Sequence, residues 1–296
     1  MSQAAVAPKG ADAYECFEVT VEDKIAHIQM KRPDAFNTMN KAFWRELPEI
    51  VRDIDANARA RVIVISSTGK HFTAGMDLTV FGDGSLGGEM ERGRRNSTIM
   101  QAALTLQKVF NCLDEARVPV LMALQGGCIG GGVDFASACD IRYATKDAFF
   151  CVQEINIGMT ADVGTFPRLP HLLPQGLVRE LCFTGRRMGA EEAAANGFVT
   201  RVFENHEELL KGVMDIAKEI ASKTPLAVWG SKEMLNYARD HSIADGLKHI
   251  AVWQAGMYQG ADMAEAFKAK AEKRDPDFDD LPPIKNPMGD VLGGGS

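Results

Sequence analysis

The chain has 296 residues, is 46% apolar and 25% charged, and carries a net charge of −7. That composition is typical of a soluble globular protein and long enough for a sizeable core. The acidity excludes nucleic acid as the main partner, which needs a strong basic footprint, and no apolar run reaches the roughly 18–20 residues of a membrane span.

Residues 1–13 read as a disordered leader. Residues 17–20 and 25–30 read as two strands joined by a tight turn. The turn-rich run from Arg32 to Asn37 leads into a helix over 40–56, with Phe43, Leu47, Ile50, Val51 and Ile54 on one face. Residues 62–65 form a continuously apolar, buried strand, and 68–77 a loop. Residues 82–96 are glycine-rich and charged and read as a mobile loop or frayed helix start; 97–113 is helical by pattern. A strand at 118–124 runs into Gly130, Gly131 and Gly132, followed by a helix over 133–139 and strands at 141–144 and 149–152. From about Pro174 onward the chain reads as nearly all helix, with segments at 207–222, 226–239, 243–258 and 263–273. Strand–helix alternation followed by a helical tail gives an α/β class with a helical extension.

A strand, a glycine turn and a helix start aim backbone N–H groups at one point, which suits a developing oxyanion. Three carboxylates follow at fixed offsets, Asp134, Glu154 and Asp162, a set suited to proton transfer. Dinucleotide, phosphate-loop, zinc-protease and serine-hydrolase motifs are absent, and the six histidines lack metal-like spacing. The six cysteines, Cys16, Cys112, Cys128, Cys139, Cys151 and Cys182, form no C-x-x-C pair and read as buried free thiols. Gly293 to Ser296 resembles a linker scar.

Together, Ala74-Gly-Met-Asp77, the run from Gly126 to Asp134, Ala138-Cys-Asp-Ile-Arg142 and the segment Arg32 to Asn40 resemble the enoyl-CoA hydratase/isomerase (crotonase) superfamily, over residues 17–271. Within it, Asp134 where hydratases carry Glu, Glu154, and Asp162 in place of a glycine-rich turn resemble the Δ3,5-Δ2,4-dienoyl-CoA isomerase branch; Asn156 departs from the Asp usual there. The resemblance implies a crotonase fold, a spiral of repeated ββα units, with a catalytic core over 14–205, a helical oligomerisation region over 206–275 and a tail over 276–296.

It also implies site residues. Asp134, Glu154 and Asp162 are the catalytic carboxylates, Glu154 acting at C2 and Asp162 at C6, with Asp134 shaping their protonation. The backbone N–H groups of Met76 and Gly131 form the oxyanion hole. Ala35, Phe36, Ala74, Gly75, Met76, Asp77 and Leu78 line the CoA path, and Gly132 borders the acyl group. Arg92, Arg94 and Arg95 either approach the CoA phosphates or form a solvated charged face; Phe149, Phe150, Met159 and Phe166 either line the acyl pocket or are ordinary core. The resemblance implies an acyl-CoA substrate with CoA as its own part, no further cofactor and no metal. It also implies a homotrimer or a dimer of trimers, with Trp253, Met257 and Phe267 as core or interface. A 2-enoyl-CoA hydratase and a non-catalytic CoA-ester binder are the alternatives. The lack of a transit segment and of a terminal Ser-Lys-Leu leads to the expectation of a cytoplasmic protein.

Overall fold

A computed structural model describes residues 14–80, 90–258 and 260–284. The leader, most of the glycine-rich segment after Val80, and the C-terminal glycines lie outside the described residues.

Strands β1 (Phe17–Glu22) and β2 (Ile25–Met30) pair antiparallel, turned by Asp23 and Lys24 in the left-handed region. Then β3 (Val62–Ser67), β4 (Val120–Leu124), β6 (Ile141–Thr145) and β9 (Arg201–Phe203) add in parallel, giving a six-stranded sheet in the order β1-β2-β3-β4-β6-β9. A second sheet of β5 (Gly127–Ile129), β7 (Phe149–Cys151) and β8 (Met188–Gly189) has order β5-β7-β8. The chain leaves the large sheet after β4 and enters the small one at β5 within two residues, so everything after Ile129 is aimed by both sheets.

The main core fills the space between these layers and the helices α1 (Lys41–Ala56), α2 (Arg92–Glu115) and α3 (Gly131–Ser137). Phe43, Phe110 and Phe135 meet there, Phe110 and Phe135 stacked at 5.1 Å and Phe43 edge-on to both, an arrangement favoured by ring quadrupoles. All five predicted apolar positions of α1 are buried, and Asn40 caps it by accepting the Phe43 N–H. Helix α7 (His206–Ala221) buries Leu209, Val213 and Ala217 on the other face of the large sheet. Next comes α8 (Pro225–Ala238), which is pinned by buried Lys232; its ammonium donates to Leu113 O and Val118 O and pairs with Asp140. Helices α9 (Ile243–Met257) and α10 (Gly260–Glu272) follow.

The short elements correct several expectations. Helix α2 begins at Arg92, inside the segment read as a mobile loop or frayed helix start, because the Glu91 carboxylate caps it through the Gly93 and Arg94 amides. The region after Pro174 is not all helix: α5 (Gln175–Thr184) and α6 (Ala190–Ala195) are separated by β8, and β9 completes the large sheet. Strands of two and three residues carry too little alternation to register in a pattern. The six cysteines are free and buried.

Candidate active site

The first wall of the site is the loop from Thr68 to Asp77, held by the turn from Arg32 to Asn37. Phe36 O accepts the Ala74 N–H at 3.0 Å. The buried Asn37 amide donates to Thr68 O and His71 O. Thr73 donates its hydroxyl to Asn37 O at 2.7 Å and accepts the Gly75 N–H at 3.1 Å. Ala35 and Ala74 are half-buried, and Phe36 is exposed with φ 50. Asp77 accepts from the Thr79 hydroxyl and amide, which hold its carboxyl below the usual range, and from Thr38. It is therefore occupied in shaping the loop. Leu78 opens a single 3-10 turn, Leu78–Val80.

The second wall is the glycine turn. Gly130 has φ 54 and ψ −123, a conformation open to glycine alone. A Cβ on Gly132 would lie 2.6 Å from Thr73 Cγ2, and one on Gly75, at φ +88, would lie 2.7 Å from Ile129 O and 3.6 Å from Gly131 N. The two walls thus touch through glycine. Neither the Met76 nor the Gly131 N–H donates to any acceptor among the described residues. Two backbone donors left open where a loop meets a helix start are suited to an oxyanion.

The carboxylates come from three elements. Asp134 sits in the first turn of α3 and is fully buried. Its Oδ1 accepts the Thr165 amide at 2.5 Å and hydroxyl at 2.8 Å; its Oδ2 has no partner among the described residues. Glu154 lies on the 3-10 turn Gln153–Ile157, half-buried, with its Oε1 3.2 Å from where a Gly130 Cβ would stand, and its Oε2 is buried and unpaired. Asp162 is exposed on the loop before α4 (Thr165–Arg168), with its carbonyl held by Gln107 Nε2 at 2.7 Å. It lines a cleft of about 590 Å³ together with Asn111, Arg168, His171 and Arg239.

Burial pushes Asp134 up to about 6; Asp162 adds to this, while Thr165 and, least, Arg168 oppose it. Burial lifts Glu154 to about 7, helped by the charges of Asp134 and Asp162. Asp162 is raised by desolvation. The charges of Asp134 and Asp162 raise Glu154, and that of Asp162 raises Asp134, so protonation of the base depends on the state of its neighbours.

Of the remaining predicted residues, Phe150 belongs to the core, edge-on to Phe198. Half-buried Phe149 carries the Arg187 guanidinium over its ring at 4.2 Å. Met159 and Phe166 are exposed. Arg92, Arg94 and Arg95 are exposed on the first turn of α2, with Arg94 paired to Glu91. Asn156 donates to Gly185 O at 3.0 Å and Gln153 Oε1 at 3.2 Å. An Asp there would set a carboxylate against two acceptors, so the amide is what ties the Glu154 turn to the end of α5. Thr165 and Arg168 escaped sequence reasoning, because their partners lie 31 and 54 residues away.

The chain matches the enoyl-CoA hydratase/isomerase family over residues 20–281. It is 43% identical over 266 residues to the mitochondrial Delta(3,5)-Delta(2,4)-dienoyl-CoA isomerase of Homo sapiens, covering 89% of this chain and 81% of that protein. It is 36% identical over 272 residues to the peroxisomal isomerase of the same name from Arabidopsis thaliana, covering 90% and 98%. The structure of enoyl-CoA hydratase from Bacillus anthracis superposes with a TM-score of 0.79 at 27% identity, over 92% of this chain and 100% of that one. That superposition fixes the fold as the one expected from the motifs. The relatives correct the expectation of a cytoplasmic protein: they are named mitochondrial and peroxisomal. That expectation rested on signals not found, and a missing signal is not an address.

Proposed function

The chain belongs to the enoyl-CoA hydratase/isomerase family, and from that membership we propose that it isomerises 3,5-dienoyl-CoA to 2,4-dienoyl-CoA in fatty-acid β-oxidation. The observation that carries the reading is the set of carboxylates around the glycine turn: two with unpaired buried oxygens and a third, Asp162, standing apart on a cleft wall.

In the proposed chemistry the thioester oxygen lies between the Met76 and Gly131 amides. Glu154 takes the proton from C2, and the electron pair spreads as an extended enolate whose oxygen the two amides stabilise. Asp162 delivers a proton to C6; the double bonds then stand at C2–C3 and C4–C5. One carboxylate gains the proton that the other loses, so the shift balances without an added cofactor, and CoA enters only as part of the substrate. C2 and C6 are too far apart for one carboxylate to serve both easily, which is why a pair is used. Solvent then restores the proton of exposed Asp162, and Glu154 releases the one it took, which returns the pair to its starting state. Asp134 remains behind the pair and sets their ionisation. Ala35, Phe36, the 74–78 loop and Gly132 guide the pantetheine and acyl group.

We assign the homotrimer or dimer of trimers to the C-terminal helices. Ile243, Leu247, Val252 and Phe267 are each about two-thirds or more exposed, apolar side chains that a second copy of the chain would cover. Met257 is also exposed, whereas Trp253 packs edge-on to Trp229 at 4.9 Å.

The test is ultraviolet turnover of 3,5-octadienoyl-CoA with crotonyl-CoA hydration run beside it. Growth of the conjugated 2,4-dienoyl band with little hydration is expected; hydration alone would leave the hydratase alternative standing, and neither activity the non-catalytic one. The pH profile of kcat/KM should carry an acid limb with a midpoint near 7, the value to which Glu154 is lifted, because the base must be ionised to accept the C2 proton. A limb near the ordinary glutamate value would contradict the buried, coupled site.

A further inference from the structure

We propose that Thr165 is a positioning residue of this site, fixing Asp134 by two hydrogen bonds from a single residue so that its charge persists beside Glu154 and sets the ionisation of that base. The inference rests on the reaction proposed above.

Thr165 donates both its amide, at 2.5 Å, and its hydroxyl, at 2.8 Å, to the same oxygen of Asp134. Both residues are fully buried, so neither bond competes with water. Doubling the donors on Oδ1 leaves Oδ2 unpaired, and hydrogen bonds to a carboxylate favour its charged form. The same four-residue helix carries Arg168. Its Nε and Nη2 grip Asp114 at 3.0 and 2.8 Å, and Nη2 also donates to Asn111 at 2.8 Å, so α2 fixes the helix that presents Thr165.

The groups facing Asp134 are Glu154 from the 3-10 turn, Asp162 from the loop before α4, Arg168 from α4, Cys128 from β5 and Cys182 from α5. Burial raises both thiols, so they stay neutral. The charged company is therefore two carboxylates and one arginine, and the Thr165 hydroxyl is the largest of the influences that oppose burial of the Asp134 charge. Without that hydroxyl, Asp134 keeps its proton to higher pH. Glu154 then has one negative neighbour fewer and ionises at lower pH.

The experiment is the pH profile of kcat/KM for wild type, Thr165→Val and Thr165→Ser. Valine keeps the shape and removes the hydroxyl donor; Asp134 itself should rise by roughly one to two units, the worth of one hydrogen bond to a charged group, and the acid limb, which feels Asp134 only through its charge, should move to lower pH by a fraction of that. Serine should return it. A limb that stays in place while activity falls evenly across pH, or one that moves upward, would overturn the proposal, as would a serine variant that behaves like valine. Thr165→Ala is read in the same way if the valine does not fit. A wild-type protein that does not turn over the dienoyl thioester would strike at the reaction instead. In that case carbon-13 NMR titration of labelled Asp134 and Glu154 in wild type and variant tests Thr165 on its own.

Discussion

Glu154→Gln should lower kcat by about 10²–10⁴-fold, the usual worth of a positioned general base, and should at the same time make the protein more stable at pH 8. Glutamine keeps the size and loses the basic oxygen, so proton abstraction at C2 stops and hydrogen–deuterium exchange there should stop with it. The stability change follows from linkage. Glu154 titrates near 7 when folded and near its ordinary value when unfolded, so between those points the native state holds a proton that the unfolded state has released. Stability therefore falls as pH rises through that window. After discounting for partial exposure, the cost of the charge at pH 8 is about 2 kcal/mol. The variant should recover this at pH 8 and recover nothing at pH 4, where the wild-type carboxyl is already neutral. Thermal melts at the two pH values read it directly; equal shifts at both would mean that the charge is not what the site stores. Asp162→Asn provides the contrast. It should lose isomerisation to a similar degree yet keep solvent exchange at C2, because the base and the amides are untouched. Loss of exchange in both variants would show that the assignment of Glu154 to C2 and Asp162 to C6 is wrong.

How much of this was legible beforehand depended on whether the signal was local. The glycine run and the loop before Asp77 announce themselves, since the Ile129 backbone at Gly75 and the Thr73 side chain at Gly132 leave no room for a Cβ. The buried face of α1 follows from a 3.6-residue period that survives into the structure. The start of α2 reads as loop or frayed helix because Arg92, Arg94 and Arg95 around Gly93 fit either, and one carboxylate, Glu91, settles it by capping the helix. Strand β9 has three residues and owes its existence to the free edge of β6. The hold of Thr165 on Asp134 had no local mark at all: it is a contact across 31 residues between α4 and the first turn of α3. Local chemistry named the acids, and tertiary contacts decide their charge.

Gly75→Ala should cost about 10²–10³-fold in kcat, the worth of one oxyanion-hole donor, with a smaller change in KM. The methyl group would enter 2.7 Å from Ile129 O, on a backbone held at φ +88. Both the clash and the left-handed conformation push the chain away from the helix start, the latter at about 1–2 kcal/mol. The next amide along is that of Met76, so the displacement moves one donor relative to the Gly131 donor, and an oxyanion that needs both near 3 Å keeps only one. Gly197→Ala is the control. It has nearly the same φ, +87, but a methyl there meets only Leu172 O at 4.0 Å. It should lower stability through backbone strain and leave kcat unchanged. If both variants lost activity in proportion to stability, the effect would be general loosening of the fold. If Gly75→Ala alone lost it, while still exchanging the C2 proton slowly, the loss would sit in the stabilisation of the enolate: Glu154 would still reach its proton, and the charge it releases would lack the second amide.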